Sequence, residues 1–239
     1  MIKLFRNIRK NLLNEGKTSR YFKYAIGEII LVVIGILIAL SINNWNEERK
    51  TKDTIIGIYA VVKSDLESDI KTIDWLLKVS KVRDSLFQRV INKEITYDDY
   101  VNCPPCGSIL KGFPDIKIKT RGLKLLEENS AFLNSNQDSL SIQVSDFYAL
   151  FNTEIDVATA EISKDYFDNL YYFKNMPWFE DMRYGTFNEE FTTYLLTSID
   201  YRNRVILFHD LYYETYLKYF NDYKDEALVL IKTINTTLK

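Results

Sequence analysis

Two cysteines three positions apart, Cys103 and Cys106 of a Cys-Pro-Pro-Cys run, are the residues whose type and spacing most directly imply chemistry. Thiols this close can bridge, and outside a reducing compartment they are expected to do so. The same spacing serves thiol–disulfide exchange, in which the second cysteine resolves a mixed disulfide, and it also supplies half of a shared metal site. Exchange centres sit at a helix start that follows a strand, and no βαβ pattern surrounds these two residues. A structural disulfide that shapes a loop tip is therefore the reading favoured here. Closing so short a loop stabilises by only about 2 kcal/mol on the chain-entropy relation.

The other candidates are weaker. His209 is the sole histidine, which excludes zinc sites that need two and makes a histidine-based triad untenable. No P-loop, dinucleotide fingerprint or His-Glu-x-x-His is present, and no cofactor or metal is expected. Acidic pairs such as Asp98-Asp99, Glu127-Glu128 and Glu180-Asp181 read as solvated faces. Tyr201, Phe208, Tyr212, Tyr216 and Tyr219 recur on one helical face. That stripe is core on ordinary packing grounds, and its many hydroxyls leave open a partly wet ligand groove.

These residues must be carried by some framework, and the chain states its framework early. Positions 29–42 read IILVVIGILIALSI without a charge. Crossing roughly 30 Å of hydrocarbon takes about 20 helical residues, so the span is drawn as 24–45, which admits one charge, Glu28. Tyr24 and Trp45 then fall at the two interfaces where aromatic belts form. An intramembrane acid is a functional candidate by default, although Glu28 near the cytoplasmic end can also pair with Lys23 or Arg20. Gly27, Gly35 and Ala39 share a face, and Gly35-x-x-x-Ala39 is a small-residue pair suited to helix–helix packing.

The flanks set an orientation. Seven basic residues and one acid precede the span, whereas the twenty positions after it balance. The positive-inside rule then puts residues 1–23 in the cytoplasm and 46–239 outside it. A cleavable signal peptide is the rival, and the long basic lead and the continuing helical pattern favour an uncleaved anchor. Within the lead, Met1, Phe5, Ile8 and Leu12 keep helical spacing while Lys3, Arg6, Arg9 and Lys10 point elsewhere. This is the pattern of a basic amphipathic segment on the lipid surface.

The stretch 24–50, YAIGEIILVVIGILIALSINNWNEERK, resembles an uncharacterised family of single-pass bacterial membrane proteins, catalogued as a domain of unknown function and frequent in Bacteroidota. Its marks there are the basic N-terminus, the GEIILVVIGILIAL-type span and the NNWNE-type exit. A second, looser resemblance covers 119–147. The resemblance implies a single span and a helical extracytoplasmic domain, and it carries no activity.

Beyond the span, Ile55, Tyr59, Val62, Leu66, Ile70, Ile73 and Leu77 step at a helical period, predicting a helix to about residue 92. Residues 93–117 hold three prolines and two glycines and read as a long excursion. A short helix is expected at 120–128 and a long one at 138–174, with Tyr166 and Leu170 closing its apolar face. A break follows at 175–186, with Thr186 and Glu189 or Glu190 as an N-cap region. A final helix should fill 200–236. The fold expected is all-α: one N-terminal transmembrane helix and an elongated antiparallel bundle, four-helix-like, over 46–239. The net charge of −2 lacks the basic excess of a nucleic-acid binder. The function expected is a non-enzymatic interaction or sensor subunit, working through lipid, a protein partner or a second copy. A small-molecule-binding module and a thiol–disulfide protein are the alternatives.

Overall fold

Glycine and proline are the main helix breakers, and their scarcity between residues 18 and 91 leaves a helix uninterrupted over 74 residues, α1 (Thr18–Ile91). It stops at Lys93, whose φ of 60° is the left-handed turn that closes a helix end. The structure, a computed structural model, describes residues 6, 18–103, 106–130 and 139–238. Met1, Lys3, Phe5, Ile8, Arg9, Lys10 and Leu12 lie outside the described residues, as do Pro104 and Pro105; Arg6 is exposed. After α1 come α2 (Tyr97–Asn102), a 3-10 turn (Cys106–Ser108), α3 (Arg121–Glu128) and α4 (Ser139–Phe173). The chain then forms α5 (Phe179–Tyr184), α6 (Glu189–Thr197), α7 (Ile199–His209), a π-helical segment (Asp210–Tyr216) and α8 (Leu217–Thr237). Among the described residues there is no strand.

The chain divides into two compact units, 1–56 and 57–239. In the first, α1 carries aliphatic side chains over 29–42 that are each 47–65% exposed. Among the described residues α1 is the one helix long and apolar enough to cross a membrane.

The second unit has a closed core. There α1 buries Tyr59, Val62, Leu66, Ile73, Leu76, Phe87 and Val90. Hydrogen bonds give its register against the last helices. Asp84 meets His209, Ser80 meets Tyr212, Asp74 meets Lys224, Asp69 meets Tyr223 and Lys63 meets Asn235, so the two run in opposite senses. Helix α4 opposes α7 and α8 in the same way, through Phe147 on Tyr223 and Asn169 on Arg204. Helices α1 and α4 therefore run in the same sense, and the chain must travel back between them. It does so over 109–120, a turn followed by backbone without regular secondary structure. Arg83 donates to Ile109 O and Gly112 O, Tyr216 donates to Pro114 O and accepts from Ile116 N, and Lys119 N donates to Asp69. The long elements are thus α1, α4 and the α7 to α8 run, with α2, α3, α5 and α6 short.

Several local expectations are corrected. The 93–117 excursion contains α2, held by a capping box in which Thr96 and Asp99 bond each other's backbone N–H. The 175–186 break contains α5, ended by Gly185 at φ 75°. Asn188, not Thr186, caps α6, because the Thr186 hydroxyl donates to Asp181 Oδ1 instead. At the end of α4, Asn169 and Phe173 are buried where Tyr166 and Leu170 were expected. In α8, Phe220 is buried and Tyr219 is only partly covered. The π segment offers a local reason: its wider i→i+5 turn retards the helical phase there, and the buried face runs 212, 216, 220 and 223.

Candidate functional site

The best-ordered polar chemistry lies where the return segment crosses α1. Asp65 and Asp69, one turn apart, are both buried on the core face. Buried carboxylates persist only when they are bonded, and here each is. Asp65 Oδ1 accepts from Arg121 Nε at 3.0 Å and Nη2 at 2.6 Å, and its Oδ2 accepts from Gly122 N at 2.9 Å. Asp69 Oδ2 accepts from Lys119 N at 3.0 Å and from Tyr223 O–H at 2.9 Å. Lys119 Nζ also donates to Ser68 Oγ. Burial raises the Asp69 pKa above its ordinary value, and these donors oppose the shift. Gly122 lies so close that a Cβ there would stand 2.6 Å from Val62 Cα, so only glycine lets the two backbones approach. The arrangement is a latch fastening α3 to α1. Its carboxylates are engaged by Arg121, Gly122, Lys119 and Tyr223.

The tyrosine stripe is packed as core, the first of the two readings the sequence allows. Tyr201, Phe208, Tyr212 and Tyr216 are buried, and Phe208, Tyr212 and Tyr216 stack in succession at 6.0 and 5.6 Å. The hydroxyls are used internally: Tyr212 bonds Ser80 Oγ at 2.7 Å, Tyr213 donates to Ser80 O, and Tyr216 donates to Pro114 O. The π segment lets two successive residues, Tyr212 and Tyr213, both reach Ser80. His209, at its start, is buried with Nε2 2.9 Å from Asp84 Oδ1, and its ring stacks on Tyr213 at 4.6 Å.

The cysteine pair is bridged, with Cα atoms 5.4 Å apart. Cys106 is buried and Cys103 partly exposed. Cys103 ends α2, where Arg89 at 2.6 Å holds the Asp99 carboxyl down at about 2. Tyr100 of the same helix is buried against Tyr201, and burial pushes its pKa up to about 12.

Just beyond the bridge, Gly107, Leu110 and Lys111 close one side of a cavity of about 20 Å³, room for a single water. Aromatic and aliphatic side chains make its walls, Trp178 and Tyr194 among them, their rings 4.7 Å apart. Two cations, Lys111 and Arg183, also line it. Partial burial and then the Arg183 charge lower the Lys111 pKa. Neither has a carboxylate partner among the described residues. Sequence reasoning missed this pair because 72 positions separate its members.

In the first unit, Gly27 and Gly35 have nothing within 4 Å of where a Cβ would be, and Ala39 is exposed, so their face is open. Glu28 is partly exposed one turn away. Among the described residues no group of three His, Cys, Asp or Glu is arranged to hold a metal ion.

A sequence model described as a family of unknown function (DUF6090) matches residues 28–176, more than half of the chain. The chain belongs to this family. The DUF6090 match begins at Glu28, in the apolar segment, and runs through the bridged loop, the latch and α4; α5 to α8 lie beyond it. No curated protein and no solved structure matches.

Proposed function

We propose that this member of the family is a membrane-anchored, non-enzymatic interaction or sensor subunit. Residues 24–45 cross the bacterial inner membrane with the N-terminus in the cytoplasm. The helical unit stands in the periplasm as an antiparallel bundle that works through protein partners. One observation carries the reading: over 29–42 the helix exposes aliphatic side chains on every side, which water does not tolerate and hydrocarbon does. The open face at Gly27, Gly35 and Ala39 suits a second span, from another copy or from a partner that passes a signal onward. The buried polar groups support a non-enzymatic reading, because the latch, Ser80 and His209 are each engaged by internal bonds.

The test is a pair of C-terminal fusions at Lys239. Alkaline phosphatase should be active there and a fluorescent protein that folds only in the cytosol should be dark. The opposite pattern, or a mature chain that starts after the apolar run, overturns the reading.

A second reading has its own support. Lys111 and Arg183, two cations without a carboxylate partner among the described residues, suit the carboxylate or phosphate of a small ligand held at the rim by exposed Arg183, since the cavity itself has room for only one water. Thermal shift against aromatic and aliphatic acids, repeated with Arg183→Glu, tests it; a flat screen rejects it.

A further inference from the structure

Helices α4 and α8 leave an open groove of about 600 Å³ between them. Its floor is apolar, made by Phe147, Phe151 and Leu230, all buried. Leu150 and Val229 stand on its lip at 53% and 59% exposure. The walls are acidic. Asp146 and Glu154 rise from α4, one turn either side of Leu150, and Asp222 and Glu226 rise from α8. None of the four carboxylates pairs with a cation among the described residues. The neighbouring Lys224 is turned to Asp74 on α1 at 2.6 Å, and Lys164 of α4 is held by Asp168 at 2.9 Å.

We infer that this groove is a docking site for a basic amphipathic helix of a partner protein. The inference rests on the reading of the chain as an interaction subunit and names the chemistry of the partner. An apolar trough between two helices takes the ridge of a third, and the walls choose the charge of what flanks the ridge. From Asp146 to Glu154 the wall extends about 12 Å at helical rise, or a little over two turns of the guest helix. A guest with leucine-like residues on its ridge and lysine or arginine at i and i+4 on either side would neutralise both walls while covering Leu150 and Val229. Other occupants fit less well. Anionic lipid and nucleic acid meet four like charges. A second copy docked through the same patch is isologous and would set eight carboxylates against one another.

The full chain is assembled in nanodiscs of zwitterionic lipid and titrated with a fluorescent 18-residue amphipathic peptide bearing lysines beside its apolar face. Empty discs supply the background. Membrane association is read separately by flotation, and the titration is made whether the chain floats or stays in solution, so the anchor and the groove stand or fall independently. The basic peptide should bind, weaken with salt, and bind at least tenfold less well to an Asp222→Lys, Glu226→Lys variant. A peptide with glutamates in place of the lysines should prefer that variant. Glu226 is exposed and Asp222 partly so, and the variant should melt like the parent; Asp146→Lys with Glu154→Lys on the opposite wall gives an independent repeat. Equal affinity for the two peptides, or full binding by both charge-reversed variants, overturns the proposal. So does a photo-crosslinker at Leu150 in cells that captures a second copy of this chain; capture of a lysine- or arginine-rich helical segment supports it.

Discussion

Residues 29–42 and 58–90 belong to one helix, and they invert each other's rule. The first stretch holds its aliphatic side chains outward and finds nothing near its glycine at 35; the second turns Asp65, Asp69 and Ser80 inward. The difference is one of solvent. Hydrocarbon accepts an apolar side chain on any side of a helix, whereas a folded interior accepts a carboxylate only where donors are already aimed at it. Hydropathy alone ranks the first stretch as the more buried. The structure shows the reverse, and this contrast supports the proposal that the first stretch lies in a membrane, while the second receives the return chain.

The sharpest way to break the comparison is to charge the first stretch. Ile34→Lys with Leu37→Lys should cost about 6 kcal/mol of insertion, near 3 for each charge at mid-span, and release the chain from carbonate-washed membranes. The thermal melt of the helical unit should not move. If membrane retention survives, 29–42 is not held in lipid.

The second stretch is broken most severely at Gly122. Alanine there drives a Cβ into the Val62 backbone and pulls the amide from Asp65, for a loss of about 3 kcal/mol read by urea unfolding. Asp69 separates bonding from charge. Asp69→Ala strands the Tyr223 hydroxyl and the Lys119 amide and should cost about 2 kcal/mol, whereas Asp69→Asn keeps an oxygen for both and should cost under about 0.5. Because burial raises the Asp69 pKa, its ionisation works against the fold. That share of stability is complete below the ordinary carboxylate value of 3.8 and is lost as pH rises through the folded value. Asp69→Asn should flatten this part of a stability-against-pH curve.

The smallest effect is local. The Asp99 carboxyl, held at about 2 by Arg89, lends α2 a stabilisation present above 3.8 and lost as pH falls towards 2. Amide exchange in Tyr97–Asn102 should quicken over that window before the long helices change.

The long helices were legible because apolar residues at a steady period state both their presence and their extent. α1 ends at Ile91 against an expected 92, and α4 runs 139–173 against 138–174. The latch was not legible. An apolar count passes over Asp65 and Asp69, and it chose Ile70 and Leu77 where the core face takes Asp69, Leu76 and Ser80. The partners of these aspartates lie 50 to 154 positions along the chain, beyond the reach of any local pattern. The acidic walls of the α4–α8 groove were hidden for the same reason: each acid read singly is a solvated surface residue, and only the packing of the two helices lines up four of them.

The wide turn at 210–216 has a genealogical side. A helix that gains one residue would ordinarily rotate all that follows by about 100°, and every downstream contact would be lost at once. Taking up the extra residue as a swollen turn confines the damage to one place, and the register beyond it resumes a single step late. Sequences sharing this segment should therefore align with a one-position gap near Tyr213, and a chain lacking that position should still carry its large aromatic opposite Phe220.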